Sequence, residues 1–116
     1  MRKFIVVAAA LISASSWAQA PALNCDIGPA HKAFGGSPWL VYGCNDGHSV
    51  VVVTAQGSPA MPFYFTFSYG SGAYRLVGEG TGSKAATDAA YQELSRLKTA
   101  QIQQLYSEAA SKEGQK

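Results

Sequence analysis

The sequence predicts an α+β domain: a four-stranded antiparallel β-meander packed against one long or two short C-terminal α-helices, with an irregular, disulfide-tied N-terminal arm. Three observations carry this reading. Between Trp39 and Val77, short runs of β-branched and aromatic residues alternate with Gly, Asn and Asp turn signals. After Gly82 the composition changes to Ala, Gln, Glu, Leu and Lys at helical spacing. Two cysteines, Cys25 and Cys44, are the whole complement of the chain.

The first 20 residues read as a secretory signal peptide. Arg2 and Lys3 supply a positive start, Phe4 to Ile12 is an unbroken apolar run, and Ser13 to Ala20 is a small, polar stretch ending Ala18-Gln19-Ala20. The apolar run is too short for a bilayer-spanning helix, which needs about 20 residues. Cleavage after Ala18, Ala20 or Ala22 is compatible with this layout. Asn24, before Cys25, stands where a lipoprotein signal wants a small residue, so no lipid is expected at Cys25 and no stable membrane insertion.

A single small domain over 21–116 is left. In an oxidising compartment its two cysteines are expected to form one disulfide, closing a loop of about 20 residues. From Pro21 to Pro38, six Gly and Pro residues and no apolar period predict the irregular arm, 21–38. The meander spans 39–78. Trp39 to Cys44 and Ser49 to Thr54 flank Asn45-Asp46-Gly47 as a β-hairpin. With Asp46-Gly47 as a two-residue turn, Trp39 faces Thr54, Val41 faces Val52 and Gly43 faces Val50. Leu40, Tyr42, Cys44, Val51 and Val53 take the other face, so both faces are apolar, and the arm, tied down at Cys44, is expected to cover the one that the helices leave. Phe63 to Ser68 alternates Phe63, Phe65 and Phe67 with Tyr64, Thr66 and Ser68, and Gly70-Ser71-Gly72 turns the chain into Tyr74 to Val77.

The helical part is 83–112, capped by Ser83 or Thr81. Ala86, Ala90, Leu94, Leu97, Ile102, Leu105 and Ala109 fall within one arc of roughly 160°. One continuous helix is therefore allowed, as is a break at Lys98 with Thr99 capping a second helix. Ala90, Leu94 and Leu97 are expected to be buried against the sheet.

Composition excludes several classes. Hydrophobic residues make up 47% and charged residues 14%, enough apolar content for a core and too few charges for a disordered tail or a coiled coil. Arg2 and Lys3 account for the excess of 9 basic over 7 acidic residues, so the domain itself is neutral. A neutral surface argues against nucleic acid as a partner. No metal ligand set is expected, since only His31 and His48 accompany two cysteines without a C-x-x-C pair. Gly78-Glu79-Gly80-Thr81-Gly82-Ser83-Lys84 lacks the P-loop spacing, has Ser83 where the dinucleotide fingerprint wants Gly or Ala, and reads as a strand-to-helix connection; no cofactor is expected. Ser71 has glycines directly beside it, whereas a nucleophile elbow places them two residues away.

Two partial resemblances accompany these motifs. Gly78, Gly80, Ser83, Lys84, Ala89, Ala90 and Leu94 resemble the strand-turn-helix end of a double-stranded-RNA-binding domain. Ala85 stands where that family has its second lysine and Asp88 lies near its phosphate-facing end, so convergent local chemistry is implied. Tyr42-Gly43-Cys44, Gly47, Val50 and Val52 resemble the opening hairpin of periplasmic C-type lysozyme inhibitors, and Ser71-Gly72-Ala73-Tyr74 is similar to their Ser-Gly loop. That resemblance implies an inhibitor-like binding role. The family is an eight-stranded barrel without a long C-terminal helix, with a cysteine bridge to the far C-terminus, and the likeness spans fewer than 40 residues.

The function expected from the residues is therefore non-enzymatic binding of another envelope or extracellular protein by an exported, periplasmic or secreted domain, inhibitor-like or immunity-like. The alternatives are a small hydrolase of unknown mechanism and a structural or stress-related envelope component. In a meander, the Asn45 to Gly47 and Tyr69 to Ala73 turns emerge at the same end. That end gathers Asp46, His48, Tyr69 and Ser71, the candidate binding residues.

Overall fold

The computed structural model describes residues 23–113, so the leader and its cleavage sites lie outside the described residues. In chain order the elements are β1 (Ile27–Phe34), β2 (Ser37–Gly43), β3 (Val50–Thr54), β4 (Phe63–Gly70), β5 (Ala73–Gly80), α1 (Lys84–Leu94) and α2 (Thr99–Glu113). The strands form one antiparallel sheet in sequence order, β1-β2-β3-β4-β5.

The sheet has five strands where four were expected, because residues 27–34 of the supposed arm form β1. Pro29 and the absence of alternation hid this strand. Proline removes a ladder donor, but here it sits on an edge strand at a register shift between Ile27 and Ala30, where that donor has no place in the ladder. Gly35 and Gly36, at φ 62° and 79°, then close a tight hairpin of the primed type into β2. Gly35 is also required by proximity, since a Cβ there would strike the backbone of Ala89 and Ala90 in α1.

The predicted β2–β3 register is the observed one: Trp39↔Thr54, Val41↔Val52, Gly43↔Val50. The connection is a four-residue loop, with Cys44 N–H donating to the Ser49 carbonyl at 2.9 Å and Gly47 N–H to the Cys44 carbonyl at 3.1 Å. Two-residue and four-residue loops centred on the same point give the same pairing, so the register survives the difference.

Alternation sends Ala30, Phe34, Trp39, Val41, Val50, Val52, Phe65 and Phe67 to one face, where all are buried. Ala90 and Leu94 of α1 and Ile102, Leu105 and Ala109 of α2 complete this core; Leu97, expected with them, is half-buried. Trp39 lies at its centre, its indole N–H donating to the Phe34 carbonyl at 3.1 Å and its ring tilted against Phe65 at 5.4 Å.

The helical segment is two helices. One helix of about 29 residues would run to ~43 Å, far beyond the ~26 Å of an eight-residue strand, and its ends would leave the sheet. Ser83 caps α1, its hydroxyl accepting from Ala86 N–H at 3.4 Å. Lys98, one residue before the expected cap, takes the cap position preceding α2, and the Gln101 side chain accepts from its N–H at 2.8 Å. α2 lies across β1 and β2, with Tyr106 over Gly43, its hydroxyl donating to the Cys44 carbonyl at 3.0 Å.

Cys25 and Cys44 are joined, as expected. Asn45 N–H donates to the Asn24 carbonyl at 2.7 Å and Asn24 N–H to the Asn45 side chain at 3.0 Å, so the chain entering β1 is bound to the β2–β3 loop. The expectation that the arm covers the second face fails, because β1 lies in the plane of the sheet. Leu40, Tyr42, Val51, Val53 and Thr66 are half-buried there by their neighbours, Tyr64 and Val77 are exposed, and no described element packs over them.

Replacing Leu94 by Ala should cost about 2 to 5 kcal/mol in urea unfolding, while Gln92→Ala on the exposed side should stay within about 0.5 kcal/mol. Replacing both cysteines by Ser should cost about 2 to 5 kcal/mol while the folded fraction keeps its aromatic near-UV bands. Quantitative labelling of two thiols in the native protein would contradict the bridge.

Candidate functional site

The β2–β3 loop is held by Asp46. One carboxylate oxygen accepts from the N–H groups of His48 (2.9 Å) and Ser49 (2.7 Å), and the other accepts from the Ser49 hydroxyl at 2.6 Å. An acceptor that binds its own backbone two and three residues on is the reason Asp is favoured in such turns.

Ser49 carries the link to the second hairpin. β4 extends to Gly70, past the point where β3 begins at Val50 opposite Phe67. The Tyr69 N–H therefore lacks a β3 carbonyl and donates instead to the buried Ser49 hydroxyl oxygen at 3.0 Å. Tyr74, opposite Tyr69 on β5, donates its hydroxyl to the His48 carbonyl at 2.8 Å.

These bonds place three rings together. The His48 imidazole stacks on Tyr69 at 4.3 Å and 23°, and Tyr69 meets Tyr74 edge-on at 5.0 Å. Phe67 then meets the edge of Tyr74 at 6.4 Å, connecting the tip to the core. Ser71 and Gly72, at φ 54° and 79°, form the β4–β5 turn, a primed hairpin turn in which Ser71 adopts the left-handed backbone.

Three of the four expected residues, Asp46, His48 and Tyr69, are thus assembled at one end. Ser71 stands at the summit of the neighbouring turn, exposed, and makes no side-chain hydrogen bond to the other three. Sequence reasoning missed Ser49 and Tyr74 as members. The Tyr69↔Tyr74 pairing was readable from the two-residue turn, but the bond from Tyr69 to Ser49 depends on how far β4 outruns β3.

Partial burial opposes ionisation of Asp46. The Ser49 hydroxyl, the two backbone N–H groups and the neighbouring His48 outweigh it and hold the carboxyl below its ordinary value of 3.8. Tyr74 is raised by burial first, then by Tyr69 and the Asp46 carboxylate nearby.

A shallow depression of about 380 Å³ lies beside the rings, lined by Tyr69, Ser71, Tyr74 and Arg75 among others. A larger, apolar one of about 580 Å³ lies at the opposite end, around Met61, Pro62 and Tyr64; no sequence signal pointed to it. No group of three or more His, Cys, Asp or Glu gathers among the described residues, and none of their helices is long and apolar enough to cross a membrane. The chain matches no protein family, no curated protein and no solved structure.

Because folding lowers the Asp46 value, its contribution is complete above the unfolded-state value and is lost as pH falls below about 4 through the folded one. Asp46→Ala should cost about 1 to 2 kcal/mol at pH 7 from its unmade hydrogen bonds. The gap between wild type and variant should narrow in acid-unfolding curves as pH falls through the folded-state value. A gap independent of pH would mean that the charge is irrelevant to the loop.

Proposed function

We propose that this is a small exported protein that acts by binding, not catalysis, and that the paired hairpin tips recognise another protein of the envelope or extracellular space. The observation that supports this is the His48–Tyr69 stack, fixed from below by Asp46, Ser49 and Tyr74. Rigid aromatic area with polar edges loses little conformational entropy on contact, which is why such groups dominate binding surfaces. Much of the tip's hydrogen-bonding capacity is spent on holding its shape, which suits recognition better than proton transfer. The Cys25–Cys44 disulfide fits an oxidising, non-cytoplasmic compartment. Together with the leader-like start of the chain, it supports a periplasmic or secreted location.

The test is recovery of partners from an envelope extract with tagged wild type and a tip variant. Ser71 already holds a left-handed backbone that glycine adopts without a Cβ penalty, so the variant combines Tyr69→Ala with Ser71→Gly. Capture should weaken about tenfold, or 1.4 kcal/mol, while Gln56→Ala at the opposite end leaves it unchanged. Equal capture by the folded tip variant would remove the tips from the interface. Hydrolytic turnover without a partner, abolished by His48→Ala, would favour an enzyme.

A further inference from the structure

The two edges of the sheet are built differently. β1 is blunted by Pro29, by a register shift and by Lys32, which pairs with Glu108 of α2 at 2.9 Å. β5 has no proline and no bulge, keeps regular pairing with β4 along all eight residues, and is the strand farthest from β1 and β2, on which α2 packs. In a hairpin closed at Gly70↔Ala73, the odd residues of β5 exchange hydrogen bonds with β4. The backbone N–H and C=O groups of Tyr74, Leu76 and Gly78 consequently point outward, ready for another strand.

We infer that β5 is a homodimerisation edge, pairing antiparallel with β5 of a second copy about a two-fold axis at Val77 to make a continuous ten-stranded sheet. Charge selects this register. Arg75 and Glu79 lie on the open face of the sheet, two residues either side of Val77. Centring the axis on Arg75 or Glu79 would oppose like charges, and centring it on Leu76 or Gly78 would set a charge against Val77. At Val77 each Arg75 faces Glu79 of the other copy, and the two valines meet. Arg75 has no ion pair among the described residues, and Glu79 has one oxygen engaged by the Tyr64 hydroxyl at 2.9 Å, leaving the other available.

Shape agrees on the helix-bearing face. The same register sets Leu76 opposite Gly78 and Tyr74 opposite Gly80. Gly78 has no side chain to obstruct an incoming Leu76, and the Phe63 and Phe65 rings lean over its backbone, within 2.9 Å and 2.8 Å of where a Cβ would stand. The pairing is isologous, so two copies satisfy both edges and growth stops. An interface of one strand pair is at the small end of specific contacts, so association in the micromolar range is expected.

Sedimentation of the disulfide-bonded protein across micromolar to millimolar concentration should show a monomer–dimer equilibrium. Arg75→Glu should weaken the dimer at least tenfold, as should Glu79→Arg, and the Arg75→Glu/Glu79→Arg double variant should recover it. Val77→Cys should cross-link on mild oxidation, since directly opposed residues in a non-hydrogen-bonded pair have Cα atoms about 4.5 Å apart. Ala73→Cys, on the same strand but outside this register, is the control. A strictly monomeric protein at millimolar concentration overturns the inference. So does a dimer whose strength ignores both charge reversals, or cross-linking no faster at position 77 than at 73.

Discussion

The helices cover one face of the sheet, and they cover it unevenly; most of what is distinctive about this molecule follows from that. α2 lies across β1 and β2, and α1 lies against the β1–β2 turn and reaches β4 with Tyr91 beside Phe65 at 6.4 Å, so the cover is densest over β1 and β2. The core is accordingly complete around Trp39, Val41, Val50, Val52 and Leu94, and thins toward β5, where Tyr74 and Leu76 are only half-buried.

Close approach makes this partial cover tight. Gly35 lets α1 touch the β1–β2 turn and Gly43 lets Tyr106 lie flat on β2, while the Gly35 N–H donates to the Glu93 carboxylate at 2.8 Å. Each is a position where a methyl group would force helix and sheet apart. The disulfide acts nearby: with Asn24, Asn45 and the Tyr106 hydroxyl it binds the start of β1, the β2–β3 loop and α2 into one corner. The hairpin tip that carries His48 springs from this braced corner, which gives the candidate binding surface a rigid base.

The tip owes its shape to a length mismatch. β4 and β5 project past β3, so the last donor of β4 is bound by a side chain, Ser49, oriented in turn by Asp46. One polar triad therefore joins the β2–β3 loop to the β4–β5 hairpin, and the His48, Tyr69 and Tyr74 rings pack above it. The open sheet face and the β5 edge are separate surfaces, reached from the side.

Local patterns in the chain determined much of this. Alternation placed Trp39 through Thr54 in the observed register, the Ser83 cap and the Ala90/Leu94 stripe located α1, and the cysteine count predicted the bridge. Meander geometry also brought Asp46, His48 and Tyr69 to one end. These features depend on neighbours close in sequence or on a two-residue side-chain period, and such information is local. What only the tertiary structure decided is non-local. Residues 27–34, interrupted by Pro29, became a strand because β2 offered an edge to pair with. The helical segment broke near Lys98 because a sheet of limited length could not support it whole. Ser49 became part of the tip because β4 outran β3, and one apolar face stayed open because the segment expected to cover it was drawn into the sheet by backbone hydrogen bonds, a competition between partners that no local pattern encodes.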